Sequence, residues 1–104
     1  MGKKKRVLFL CSMGKNRSKT ASRLYKHKYD TRFGGIHDIY YYRHKLLLDL
    51  AWADYIVIMR DYMKASIPQE FRHKVKSLNI MDIYEFNSEV LKERIIKQMD
   101  MMDL

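Results

Sequence analysis

The sequence predicts an α/β fold, a three-layer sandwich in which a four-stranded parallel sheet carries helices on both faces. Three observations predict it. Arg6-Val7-Leu8-Phe9-Leu10 and Tyr55-Ile56-Val57-Ile58-Met59 are short, almost continuously apolar runs, as a strand buried on both faces requires. Segments with helical spacing separate them from two weaker runs, Thr31 to Ile36 and Val75 to Ile80. The chain has 104 residues, 47% of them hydrophobic, with one proline, Pro68, and no repeat or low-complexity tract to mark a linker, so one domain spanning 1–104 is expected.

Taken in order, the first strand ends at Cys11, and a helix follows from Ser18 to Tyr29. Ser18 is its expected start, and Ala21, Leu24, Tyr25 and Lys28 recur at helical spacing. Thr31 to Ile36 is the second strand, although Gly34-Gly35 weakens that assignment. Leu46 to Ala53 reads as a short apolar helix leading into the third strand, and Met63 to Phe71 as one or two helical turns broken near Pro68. The fourth run precedes a last helix, Ser88 to Met101. Val90, Leu91, Ile95 and Met99 form its expected inner face, with Lys92, Glu93, Arg94 and Lys97 outward. Parallel sheets of this kind bind ligands beyond the carboxyl ends of their strands, and Cys11 stands at such an end.

Composition narrows the function classes. No apolar run is long enough to span a bilayer, and Lys3 to Arg6 are not followed by a signal-peptide pattern, so a soluble, cytoplasmic protein is expected. Met1-Gly2 does not complete an acylation motif, because Arg6 stands where Ser or Thr is needed. A lone cysteine makes no internal disulfide and no cysteine-based zinc site, and His27, His37, His44 and His73 lack metal-ligand spacing. No metal and no cofactor are implied. A formal charge of +9 points to acidic partners: a phosphorylated protein, a nucleic acid or an anionic surface. Charge alone does not choose among them, and the Lys3 to Arg6 run suits a solvated face, a targeting signal or anion steering equally.

The chemistry is concentrated in one loop. Cys11-Ser12-Met13-Gly14-Lys15-Asn16-Arg17-Ser18 is a Cys, five residues, an Arg and a Ser, set between a buried strand and a helix. A phosphate dianion needs many donors in a concave arrangement, and a loop curling into a helix start supplies inward N–H groups and the positive end of the helix dipole. The planar fork of Arg17 can grip two phosphate oxygens, which a lysine could not do. The same positive field favours Cys11 as a nucleophilic thiolate. Gly14-Lys15 does not make a nucleotide-binding loop, because Asn16 stands where that motif needs Ser or Thr.

This pattern resembles the low-molecular-weight protein tyrosine phosphatase family, above all its short predicted members. The likeness extends from the Cys11 to Ser18 loop through Gly34-Gly35 and Trp52-Ala53-Asp54-Tyr55-Ile56-Val57-Ile58-Met59 to Asp82-Ile83-Tyr84-Glu85-Phe86. Cys11-Ser12 with Asn16-Arg17-Ser18 is also similar to the related, much longer phosphatases of the RNA polymerase tail. The resemblance implies a flavodoxin-like topology and a two-step, metal-free hydrolysis of phosphate monoesters through a phosphocysteine. In it Cys11 attacks phosphorus, Arg17 and the loop residues Ser12, Met13, Gly14, Lys15 and Asn16 hold the oxygens, and Ser18 supports the departing thiolate. An aspartate protonates the leaving group and then activates water.

Asp82 matches the family's late acid, although Ile83 replaces the usual proline after it; Asp61, after the third strand, is its rival, whereas Asp54 precedes that strand and points away. Tyr84 resembles the aromatic that flanks the substrate ring, and Tyr40-Tyr41-Tyr42 is a candidate opposite wall. Gly14 stands where the family has a loop-stiffening Asn, and Asn16 is a candidate for that brace. The implied substrate is protein phosphotyrosine. A catalytically weak phosphate-recognition module, another acidic phosphoester such as phosphoserine or RNA ends, and arsenate reduction, which recruits further cysteines absent here, are the alternatives.

Overall fold

In a computed structural model of the chain, residues 3–102 and 104 are described; Met1-Gly2, read above against an acylation motif, lie outside them. The elements are β1 (Arg6–Cys11), α1 (Arg17–Tyr25), β2 (Asp30–Gly35), α2 (Ile39–His44), α3 (Leu46–Trp52), β3 (Tyr55–Ile58), two 3₁₀ helices (Asp61–Ser66 and Gln69–Lys74), β4 (Val75–Ser77) and α4 (Glu89–Met101). The four strands form one parallel sheet in the order β2-β1-β3-β4.

That order places the site. From β1 the chain crosses to β2 on one side and later returns to β3 on the other, and right-handed crossovers then put α1 on one face and α2 with α3 on the other. α4 joins α1 to complete that layer. The carboxyl end of β1 is therefore the switch point of the sheet, where the flanking loops part and leave a crevice. Val7, Leu8, Phe9 and Leu10 on β1 and Ile56, Val57 and Ile58 on β3 are buried on both faces, as their unbroken apolar character requires. Each such side chain withdrawn from water contributes about 1.5–3 kcal/mol before entropy is counted.

Several expectations are corrected. α1 begins one residue before Ser18, with Asn16 as its N-cap, and it stops at Tyr25. The N–H groups of Lys28 and Tyr29 both bond the Tyr25 carbonyl, turning the chain so that Asp30 N–H can reach the Lys5 carbonyl and open β2. Tyr29 thereby enters the core while Lys28 stays in solvent. β4 ends at Ser77, since Asn79 takes a left-handed φ of 57° that no strand continues through. On α4 the inner stripe is Leu91, Ile95 and Met99, four residues apart, and Val90 is exposed. α2 was not expected from the sequence. Asp38 caps it by accepting from Tyr40 N–H at 3.2 Å. The broken turns around Pro68 are the two 3₁₀ helices.

Candidate active site

Cys11 is the last residue of β1, 2% exposed, and faces Gly35 across the parallel ladder. The Ile36 N–H to Cys11 carbonyl bond (2.9 Å) and the His37 N–H to Ser12 carbonyl bond (2.7 Å) carry that pairing past the strand ends. The loop is thus moored to the end of β2. Gly14 has φ +72°, and a Cβ on it would lie 2.7 Å from Gly35 N and 2.8 Å from Gly34 C. Reciprocally, a Cβ on Gly35 would come within 2.2 Å of Met13 C. The glycines that weakened the reading of β2 are the seat on which the loop rests, with backbone against backbone.

Two donors converge on the sulfur. Gly14 N–H points at Sγ at 3.2 Å, and Ser18 Oγ lies 3.0 Å away. Ser18 Oγ is also 3.3 Å from the Gly34 carbonyl, so its single proton can turn to either acceptor. A thiolate draws it to sulfur; a thiol leaves it with Gly34. Ser18 therefore sits under the cysteine within the first turn of α1 rather than capping that helix.

Arg17 is the largest fully buried side chain, 2% exposed, and folds inward. Its Nη1 donates to the Ile80 carbonyl at 2.7 Å, which fixes the plane of the guanidinium. Its other edge is weakly engaged. Nη2 reaches Ser12 Oγ at only 3.3 Å, and Nε is buried with no hydrogen-bond partner among the described residues. The nearest anion is Asp82, whose Oδ1 is 3.7 Å from Nε and whose side chain is 62% exposed. A buried guanidinium thus presents the Nε/Nη2 fork, the edge suited to bidentate oxyanion binding, towards Ser12 and Asp82.

Asn16 and Thr20 hold the segment that follows Asp82. Asn16 Nδ2 donates to the Tyr84 carbonyl, and Thr20 Oγ1 accepts from Asn87 N–H at 3.1 Å. Being four residues apart at the start of α1, these side chains share one face and clamp both ends of 84–87. Tyr84 packs partly against the core. Met13 and Lys15 are exposed at the mouth. Asp61 is exposed at the start of the first 3₁₀ helix, without an ion pair to Arg17, although Tyr62 beside it lies 3.5 Å from Ser12 Oγ. Asp54 is at the other end of the sheet, where it accepts from Arg6 N–H at 2.9 Å.

The tyrosine triplet does not form one wall. Tyr41 is 8% exposed, its ring lies where a Cβ on Gly34 would be, and its hydroxyl donates to Asp49 Oδ2 at 2.9 Å. Burial first, and then the Asp49 carboxylate, push the Tyr41 pKa well above the ordinary phenol range. Tyr40 and Tyr42 point to solvent. Sequence reasoning missed the buried Asp49, which also receives Arg32 Nη1 at 2.8 Å. It also missed the Thr20 clamp. The local signal for the first was an Asp inside an apolar helix.

No protein-family model and no curated protein sequence matches this chain. Solved structures do. It superposes on the tyrosine phosphatase Wzb from Escherichia coli K30, crystallised with phosphate, with a TM-score of 0.70 at 15% identity over 94% of this chain and 95% of that one. A low-molecular-weight protein tyrosine phosphatase from T. tengcongensis matches with a TM-score of 0.65 at 18% identity, covering 90% and 92%. The YwlE arginine phosphatase from Geobacillus stearothermophilus gives 0.64 at 19% identity, covering 90% and 85%. At such identities the likeness speaks for architecture, and the architecture of this chain is the flavodoxin-like fold of the low-molecular-weight protein tyrosine phosphatases.

Proposed function

We propose that the chain is a cytoplasmic, metal-independent phosphatase acting through Cys11 on phosphate monoesters, with protein phosphotyrosine as its substrate. The observation that carries this reading is the placing of Cys11 Sγ beside Gly14 N–H and Ser18 Oγ, together with a buried Arg17 whose Nε has no hydrogen-bond partner among the described residues. A buried, unpaired guanidinium N–H is costly unless a ligand completes it, and an oxyanion is the complement of that fork. In the first step the thiolate forms an S–P bond as the ester P–O bond breaks, and Asp82 gives its proton to the leaving oxygen. In the second, Asp82 takes a proton from water, the oxygen attacks phosphorus, and the S–P bond breaks to release phosphate and thiolate. Arg17 and the loop amides carry the charge on the equatorial oxygens in both. Tyr84 flanks the substrate ring, and the whole of 1–104 acts as one domain.

Ser12, Met13, Gly14, Lys15, Asn16 and Ser18 complete the cradle. The absence of proline after Asp82 favours the second reading, a phosphate-binding module with little turnover, and the Asn16 and Thr20 bonds weigh against it by restraining the same segment. Hydrolysis of an aryl phosphate without added metal tests the proposal. The wild type turns over; Cys11→Ser abolishes turnover while retaining vanadate binding. Undiminished hydrolysis by Cys11→Ser discards the mechanism. Profiling phosphotyrosine, phosphoserine, phosphoarginine and RNA-end substrates then decides the substrate class.

A further inference from the structure

At the amino end of the sheet, opposite Cys11, a basin of about 1050 Å³ is lined by Lys3, Lys4, Arg23 and Lys26, with Phe33 and Trp52 among its walls. The acidic groups there are Asp30 and Asp54, and Asp54 is occupied by Arg6 at 3.2 Å. The basin is strongly cationic, and the chemistry above does not use it. A second, mainly apolar groove of about 430 Å³ begins at Met13 and Gly14 of the phosphate loop and runs past Tyr40 to Phe33. Phe33 lines both. Phe33 on β2 is thus the residue at which the groove beside the loop and the cationic basin meet.

β2 is the outermost strand on that side of the sheet. Because the N–H groups of Asp30 and Ile36 bond the Lys5 and Cys11 carbonyls, the alternation of a parallel ladder turns the N–H and C=O of Thr31 and Phe33 outward. An outward strand edge is a template for an extended polypeptide, which supplies the matching donors and acceptors. The length also fits. β1 advances about 17 Å from Arg6 to Cys11, which an extended peptide covers in about five residues. A nucleic acid offers no such backbone, and the indole that could stack a base is covered by the Arg32 guanidinium, 4.1 Å from its centroid.

We infer that β2 and the basin form a docking surface for the substrate protein: an acidic, extended segment about five residues from the phosphorylated side chain pairs along β2 and places its carboxylates among Lys3, Lys4 and Lys26. The inference rests on the phosphatase reading for the phosphorylated end, while the acidic end is testable alone. Fluorescence anisotropy of a labelled, unphosphorylated octaglutamate peptide measures docking. The Lys3→Glu/Lys4→Glu/Lys26→Glu triple variant weakens binding at least 10-fold, and Phe33→Asp, where groove and basin meet, weakens it independently. On tyrosine-phosphorylated peptides with a glutamate run five residues away on either side, the triple variant raises KM at least 10-fold and leaves kcat unchanged, and its turnover of a small aryl phosphate stays at the wild-type rate. Unchanged octaglutamate binding by a folded triple variant overturns the inference. So does an octauridylate that displaces the peptide and depends on the same lysines, since the surface is then one for nucleic acid. Peptide capture by a wild type that hydrolyses no phosphate ester supports the dock and removes the phosphatase reading instead.

Discussion

Asp82 and Asp61 both lie at the carboxyl rim of the sheet, and only Asp82 approaches the guanidinium, at 3.7 Å from Arg17 Nε. That contact is longer than a hydrogen bond and makes Asp82 the better candidate for the proposed acid and base. A general acid matters most when the leaving group is a poor one, because an alkoxide needs its proton and an activated phenoxide does not. Asp82→Ala is therefore expected to lower kcat by about 10²–10⁴ on alkyl phosphates and much less on nitrophenyl phosphate, while Asp61→Ala leaves both within a few-fold. Rates across a leaving-group series check this, and a loss that follows Asp61 reassigns the acid. Asn16 acts on the same segment. Ile83 cannot stiffen the proposed acid segment as proline would, and the Asn16 amide bond to the Tyr84 carbonyl restrains it from outside. Asn16→Ala is expected to lower kcat on alkyl phosphates more than on nitrophenyl phosphate, with vanadate affinity nearly unchanged, as rate and binding measurements on one preparation will show.

Among the elements, β2, α2 and α3 are joined by a buried polar centre that supports the loop from beneath. Asp49 takes the Tyr41 hydroxyl on one oxygen and Arg32 on the other, and the Tyr41 ring fills the space that the missing side chain of Gly34 leaves. Tyr41→Phe keeps the ring and removes the donor, leaving a carboxylate oxygen buried without its partner. A loss of about 1–3 kcal/mol is expected, read as a lower midpoint in urea unfolding at unchanged slope. A midpoint within error of the wild type would show that water replaces the hydroxyl. This centre also shows what the sequence could and could not carry. β1 and β3 were legible because burial on both faces leaves no alternative to an apolar run, and the loop stood out because Cys11, Arg17 and Ser18 fall between a buried strand and a helix start. α2 was hidden because its three consecutive tyrosines have no period: one is core and two are solvent-facing, and the cap that starts it, Asp38, lies in an unremarkable polar stretch. The end of α1 was hidden for a tertiary reason, the need to bring Asp30 beside Lys5.

For the molecule as a whole, the balance of charge sets how stability answers to pH. The chain carries a formal charge of +9, so self-repulsion grows on acidification as negative charge is lost. One carboxylate opposes this at the amino end of the sheet. Asp54 accepts from Arg6 N–H and pairs with its guanidinium, joining the start of β3 to the start of β1. The backbone bond from Arg6, foremost, and then its side chain hold the Asp54 carboxyl below the ordinary value of 3.8. With the folded value the lower of the two, the unfolded chain binds the proton more readily. The contribution of Asp54 is then fully present above the unfolded value and is lost as pH falls from there through the folded one. Solvent screens this exposed pair, so its worth is no more than about 1 kcal/mol. Thermal unfolding of the wild type is expected to weaken steadily from pH 6 to pH 3, with an added drop below about pH 4 that Asp54→Asn removes, so that the two melting curves separate at pH 6 and converge at pH 3. Curves that stay equally far apart at both ends would mean that the stabilisation comes from the shape of the Asp54 side chain and owes nothing to its charge.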